Sequence, residues 1–145
     1  MELRVAQNDD LGAIASIDGT CFGDGADIRM RLLEHKMNLF PKGTAIVTCD
    51  ASLIGFACAE VCSDLRIFNA ENAEVCLYLA RLAVHPSHRS RGAGRLLLDY
   101  EFAFAKNMGC AAMTLITDSA QKYYSRFGFK TTGSLHGTYI MSKKL

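Results

Sequence analysis

YLARLAVHPSHRSRGAGRLLLDYEFAFAK, residues 78–106, changes character twice. An apolar run containing Leu79, Leu82, Ala83 and Val84 stops at His85-Pro86, a basic turn follows, and apolar residues then recur at helical spacing. Pro86 cannot donate to a sheet ladder and restricts the residue before it, so a strand is expected to end near His85. Beyond the turn, Leu96, Leu97, Tyr100 and Phe104, with Ala103, fall on one face at offsets of three and four. The segment therefore reads as strand, loop, helix.

Arg89, Arg91 and Arg95 surround Gly92-Ala93-Gly94 where that helix should begin. A helix N-terminus leaves several backbone N–H groups without partners and carries a partial positive charge. Glycine there lets a phosphate approach the backbone with no Cβ in the way. The loop is read as a pyrophosphate cradle formed by Arg89, Ser90, Arg91, Gly92, Ala93, Gly94 and Arg95. The competing reading is an arginine-rich solvated turn. The buried-type strand leading in, arginines able to form charge-assisted bonds of roughly 1.5–3 kcal/mol each, and the spacing R-x-x-G-x-G favour the cradle. A nucleoside-triphosphate P-loop is excluded because G-x-x-x-x-G-K-[ST] is absent. The dinucleotide fingerprint G-x-G-x-x-G fails as well, since its third glycine falls at Leu97.

These residues resemble the GNAT superfamily of acetyl-CoA-dependent N-acetyltransferases. Leu82-Ala83-Val84-His85-Pro86 followed by Arg89-Ser90-Arg91-Gly92-Ala93-Gly94 fits that family's [QR]-x-x-G-x-[GA] signature. Ala120-Gln121-Lys122-Tyr123-Tyr124-Ser125-Arg126-Phe127-Gly128-Phe129 fits its A-x-x-x-Y-x-x-x-G-F segment. The resemblance implies an α/β (α+β) fold with a mixed, mainly antiparallel central sheet of six to seven strands, flanked by about four helices and splayed at the cofactor site. It also implies acetyl-CoA as cosubstrate. Backbone groups of Leu82, Ala83 and Val84 would pair with its pantetheine arm, and the 89–95 loop would hold its pyrophosphate.

With 145 residues, the chain suits a single N-acetyltransferase domain over residues 1–145, large enough to bury roughly two-thirds of its unfolded surface. Lys and Arg number 16 against 15 Asp and Glu, for a net charge of +1, so no general attraction to nucleic acid or anionic membrane is expected. No segment approaches the roughly 20 apolar residues that span a bilayer, and MELRVAQNDD is not a signal peptide. Six cysteines with no C-x-x-C pair point to a reducing cytoplasm and to small buried hydrophobes. Cys58 and Cys62 lie in IGFACAEVC, which alternates like a strand, and are read as core; the histidines show no H-x-x-x-H spacing, so no metal site is expected.

In chain order, residues 2–6 are read as a strand, and Asn8 as the cap of a helix running towards Asp18. Gly19, Gly23 and Gly25 are read as breaks before a second helix at 27–39. Residues 44–49 and 53–62 suggest a hairpin, 63–72 a polar loop, 74–84 the central strand, and 111–117 a further buried strand. A short helix ending at Gly128 and one or two closing strands follow. In GNAT-like chains the first helix pair flanks the acceptor entrance.

Acetyl transfer requires an amine nucleophile, an acceptor for its proton, and an acid for the departing thiolate. Tyr124 aligns with the family's tyrosine, and a phenol of pKa about 10 can serve a thiolate of pKa about 8.5; Ala120, Tyr123, Tyr124 and Phe127 also form an apolar helix face that packing alone would explain. Where several relatives place a glutamate on the central strand, this chain has Tyr78. Glu60, preferred, and Glu74 are the substitute bases, with solvation of either as the competing reading. Three functions stay open: acetylation of a primary amine on a small molecule by direct attack in a ternary complex, acetylation of a protein or peptide, and a non-catalytic CoA-binding module. A small-molecule amine is the expected partner, without nucleic acid or membrane; homodimerisation is left open.

Overall fold

The computed structural model describes residues 1–62 and 75–145. The loop expected at 63–72 and Glu74 lie outside the described residues. Among those described, seven strands form one sheet in the order β1-β2-β3-β4-β5-β7-β6. The strands are β1 (Glu2–Val5), β2 (Thr44–Cys49), β3 (Ser52–Cys62), β4 (Cys76–Val84), β5 (Ala112–Thr117), β6 (Lys130–Leu135) and β7 (Thr138–Lys144). The helices are α1 (Leu11–Phe22), α2 (Ala26–Leu39), α3 (Ala93–Asn107) and α4 (Gln121–Ser125). Pairing is antiparallel for β1 with β2, β2 with β3, β5 with β7 and β6 with β7, and parallel for β4 with β5. This is the mixed, mainly antiparallel α/β architecture expected from the sequence. The parallel ladder joins Cys76 to Ala112, Leu77 to Met113 and Tyr78 to Thr114, and β4 then continues to Val84.

The chain forms two compact units. The first holds Met1–Ala59 with Arg81–Glu101. Its core joins Ile14 and Ile17 of α1, Leu33 and Met37 of α2, Ile46 of β2, Phe56 and Cys58 of β3, and Ala83 of β4. The entry to α1 differs from the sequence reading: Asn8–Asp10 form a 3₁₀ turn ahead of the helix, and the Asp10 carboxylate closes that turn. It accepts the Gln7 N–H at 2.7 Å and both terminal nitrogens of Arg4 at 2.8 Å each. That pairing holds the Asp10 carboxyl below its ordinary pKa. Gly19 does not break α1, which runs on to Phe22, because helix-internal glycine costs only about 1 kcal/mol. Between α1 and α2, Arg29 Nε donates to the fully buried Asp18 carboxylate, and its terminal nitrogens donate to the carbonyls of Asp24 and Gly23 at 2.8 Å each. One guanidinium thus satisfies both a buried charge and two carbonyls of the α1–α2 connection.

The second unit holds Glu60–Ala80 with Phe102–Leu145. Met113 and Leu115 of β5, Ile140 and Met141 of β7, Phe129 and Tyr124 are buried in it. Phe102 stacks on Phe129 with centroids 6.0 Å apart, and Lys143 lies 4.5 Å over the Phe102 ring while donating to the Phe127 carbonyl at 2.6 Å. All six cysteines are free thiols. Burial, with Cys62 and Cys110 nearby, pushes the Cys76 thiol up to about 11.

The buried stripe of α3 is Ala93, Leu97, Leu98, Glu101, Phe104 and Ala105, rotated from the face predicted through Leu96 and Ala103, both of which are exposed. Tyr100 is half-buried, and its hydroxyl donates to the Lys42 carbonyl at 2.6 Å. Glu101 is fully buried, and neither carboxyl oxygen has a hydrogen-bond partner among the described residues. Burial raises its pKa well above the usual carboxylate range, as expected for a carboxyl denied water and a counter-charge. The folded chain therefore keeps a proton that the unfolded chain releases above a pH of about 4.3, so this group's contribution to stability falls as pH rises. Glu101→Met should remove that loss. The stability gap between Glu101→Met and the parent, read from denaturant midpoints, is expected to widen from pH 5 to pH 8 by at most about 1.4 kcal/mol per unit; a gap independent of pH would refute a protonated Glu101.

Candidate active site

The end of β4 is held from both sides. The His85 N–H donates to the Ile54 carbonyl at 2.7 Å. The Ala83 carbonyl lies 2.9 Å from the position a Cβ on Gly55 would take, so glycine is what lets the two strands approach. Backbone groups alternate between the two edges of a strand. Ala83 therefore faces β3, and Leu82 and Val84 face the opposite edge. The Val84 carbonyl there already accepts Arg89 Nε at 3.0 Å, with the Cys21 thiol donating at 3.6 Å. The Leu82 amide and carbonyl and the Val84 amide are the groups left for a ligand.

A single 3₁₀ turn, Pro86–His88, follows. His85 Nδ1 accepts from the Ser87 N–H at 3.1 Å, and Ser87 Oγ sits 2.7 Å from the same nitrogen and 3.0 Å from His88 Nδ1. The chain then reverses through Ser90 at φ 64° and Gly92 at φ 93°. A Cβ placed on Gly92 would meet nothing within 4 Å, so the space above it is open. The first bond of α3 runs from the Leu96 N–H to the Gly92 carbonyl at 3.1 Å, leaving the N–H groups of Ala93, Gly94 and Arg95 unused within the helix. Arg91 is exposed, and so is Arg95, whose Nε lies 3.9 Å from the Asp99 carboxylate. Arg89 differs from the sequence reading: its guanidinium turns back onto Val84 and Cys21, with Nη2 3.5 Å from the Cys21 sulfur. It shapes the loop, while Arg91 and Arg95 face outward. An anion here would meet backbone donors and two guanidinium groups with no side chain in the way, which fits a pyrophosphate.

Tyr124 lies in the second unit, on α4. Its ring is buried, edge-on to Tyr123 at 5.2 Å and to Phe129 at 5.7 Å. Burial, then the neighbouring Tyr123, pushes its pKa well above that of an ordinary phenol. Glu60 is half-buried near the end of β3, in the second unit. The structure thus groups Leu82, Ala83, Val84 and the 89–95 loop in the first unit and places Tyr124 and Glu60 in the second. Three charged residues of the first unit, Asp18, Arg29 and Arg81, were not singled out from sequence. Arg81 carried a signal, a charge inside the apolar run YLARLAV, whereas Asp18 in ASIDGT and Arg29 in DIRMRLL carried none. Among the described residues no group of three His, Cys, Asp or Glu side chains is placed to hold a metal ion, and no helix is long and apolar enough to cross a membrane.

The sequence matches the acetyltransferase (GNAT) family over residues 11–129. The chain belongs to that family, and it is an acetyltransferase that uses acetyl-CoA. Solved structures share the whole fold. Arabidopsis thaliana Naa50, in complex with the bisubstrate analogue CoA-Ac-MVNAL, superposes with a TM-score of 0.80 at 15% identity, covering 99% of this chain and 98% of that one. The PaiA N-acetyltransferase of Thermoplasma acidophilum, in complex with coenzyme A, gives 0.74 at 19% identity over 99% and 98%. YncA, a putative acetyltransferase from Salmonella typhimurium with acetyl-CoA, gives 0.74 at 21% identity over 100% and 94%. No curated protein matches the sequence.

Gly92→Val would place a β-branched side chain at φ 93° and into the open space of the loop. Coenzyme A affinity, read by calorimetric titration, is expected to fall at least 10-fold while the circular dichroism spectrum is kept; unchanged affinity would refute the cradle.

Proposed function

We propose that this chain moves the acetyl group of acetyl-CoA to the primary amine of a small molecule, by direct attack in a ternary complex, as a single N-acetyltransferase domain. The loop at the head of α3 carries the reading. Its unused N–H groups, open glycine and outward Arg91 and Arg95 suit the pyrophosphate of the cosubstrate. The Leu82 and Val84 backbone groups suit its amide-bearing arm. Arg89 acts as a positioning residue, fixing the end of β4 against the loop through its bond to the Val84 carbonyl.

Acetyl-CoA supplies a thioester: a C–N bond forms as the C–S bond breaks, the amine loses one proton and the thiolate gains one. The protein's task is to manage those two protons. An alkyl ammonium has a pKa of about 10.4, so reaching the neutral amine at pH 7 costs about 4.6 kcal/mol. Glu60 is the assigned proton acceptor, Tyr78 standing where a strand carboxylate would otherwise be. Tyr124 is the assigned donor to the thiolate. Its raised pKa keeps the phenol protonated throughout the physiological range, and among the described residues its hydroxyl makes no hydrogen bond that a ligand would have to displace.

Acetylation of a peptide N-terminus is the second reading, favoured by the likeness to Naa50 bound to a peptide-bearing analogue. The near-neutral charge of the chain gives no attraction to a polyionic tail, which supports the small acceptor. Free thiols at all six cysteines support a cytoplasmic setting.

Calorimetric titration with acetyl-CoA, followed by a thiol-release screen over amines and short peptides, tests the assignment directly. Binding with turnover of small amines is the expected result; binding with turnover of peptides alone would transfer it to the second reading. Tyr124→Phe should lower kcat by about 10²-fold with little change in the KM for acetyl-CoA, and an unaltered kcat would return Tyr124 to packing. Glu60→Gln should remove the acidic limb of the pH–rate profile, and a limb kept intact would eliminate Glu60 as the base.

A further inference from the structure

Asp18, Arg29, Arg81 and Phe22 form a charged cluster in the first unit that the acetyl-CoA contacts do not use. The Asp18 carboxylate is fully buried on α1. Arg29 is wholly committed: Nε to Asp18, both terminal nitrogens to the carbonyls of Gly23 and Asp24, just beyond α1. Arg81 reaches the same carboxylate differently. Its Nε lies 3.5 Å from Oδ1, yet Oδ1 accepts no hydrogen bond among the described residues. The contact is electrostatic without being a bond, and among the described residues the two terminal nitrogens of Arg81 have no partner. The guanidinium sits 4.7 Å over the ring of Phe22, itself 44% exposed, and a third of the Arg81 side chain meets solvent.

The charge does not balance. Two guanidinium groups face one carboxylate, so the cluster carries one net positive charge, concentrated on Arg81. A purely structural arginine would be drawn into hydrogen bonds through all its donors, as Arg29 is through Nε and both terminal nitrogens. Arg81 instead sits over an aromatic face, which holds a guanidinium by cation–π attraction without occupying its N–H donors. It precedes Leu82, whose backbone groups lie on the open edge of β4.

We propose that Arg81, backed by Asp18 and seated on Phe22, receives the carboxylate of the acceptor, so that the preferred substrate is an amino acid carrying both a primary amine and a free carboxylate. The inference rests on the acetyltransferase reading and narrows it. A carboxylate neutralises the spare charge and takes two parallel N–H bonds. A polyamine is repelled by the same charge, and a neutral amino sugar leaves it unmet. Asp18 and Phe22 act as positioning residues.

The test compares kcat/KM by thiol release, at saturating acetyl-CoA, for glycine, β-alanine, 4-aminobutyrate and the L-amino acids, each beside its carboxamide, with spermidine and a short neutral peptide as further acceptors. The best carboxylate is expected to exceed its carboxamide by at least 10-fold. Arg81→Met should bring that ratio to within about 3-fold, with coenzyme A affinity and the thermal transition retained, and Arg81→Lys should restore part of it. Carboxamides, spermidine or the peptide used as well as any carboxylate would overturn the proposal, as would a ratio unmoved in Arg81→Met. Coenzyme A binding with no carboxylated amine acetylated would also overturn it while leaving the cradle standing. Failure to bind coenzyme A at all would overturn both.

Discussion

The last residues of β4 are fixed by backbone contacts that leave little freedom for the loop beyond them. The His85 N–H is spent on Ile54, the Ala83 carbonyl is pressed against Gly55, and the Val84 carbonyl is capped by Arg89. The two hydrogen-bonded groups, the His85 N–H and the Val84 carbonyl, would each cost about 1–3 kcal/mol if buried unpaired. Together they determine where the strand stops and in which direction the chain departs. The turn at Pro86, the reversal through Ser90 and Gly92 and the start of α3 follow from that fixed point. Moving the end of β4 by one residue would exchange its two edges, aiming the Ala83 groups where those of Leu82 and Val84 now point.

The helix that follows is anchored as firmly at its far side. Leu97, Leu98, Phe104 and Ala105 supply the apolar burial, and Tyr100 reaches over to the turn before β2. Glu101 sits within this stripe as a carboxyl without a partner. A helix that must keep its first N–H groups unsatisfied for a ligand gives up stability at its N-terminus, and a buried carboxyl gives up more. The apolar contacts along α3 have to outweigh both.

The sequence foretold the elements and their order well because the signals were local. The apolar run of β4, the proline after it and the glycines before α3 each act on their immediate neighbours. The β2–β3 hairpin was legible for the same reason, although its turn uses Asp50 and Ala51 in left-handed conformations with no glycine to announce them. What escaped depends on partners distant in the chain. Asn8 opens a 3₁₀ turn instead of capping α1, and that turn is closed by the Asp10 carboxylate, which Arg4 on the preceding strand holds in place. The face of α3 is rotated because Leu98 and Glu101 are buried, a pairing the i, i+3 and i, i+4 pattern did not distinguish from Leu96 and Ala103. The bond from Arg89 to the Val84 carbonyl, five positions earlier, was likewise not legible from the spacing of the loop. Asp18 meets Arg81 across 63 positions, which no local rule reaches.

The role proposed for Tyr124 is limited by burial as well as favoured by it. A free thiol has a pKa of about 8.5 and a free phenol about 10, so full proton transfer from tyrosine to thiolate is already unfavourable by about 2 kcal/mol. Burial raises the phenol further and makes complete transfer worse. Hydrogen-bond donation is affected differently: the same apolar surroundings that penalise the phenolate strengthen the O–H dipole's interaction with a developing negative charge. The proposed contribution of Tyr124 is therefore a stabilising bond to the departing sulfur while charge accumulates, with the thiol's proton supplied at the end from solvent. A tyrosine suited to that role should be buried at the ring and unengaged at the hydroxyl, which is the state found here among the described residues.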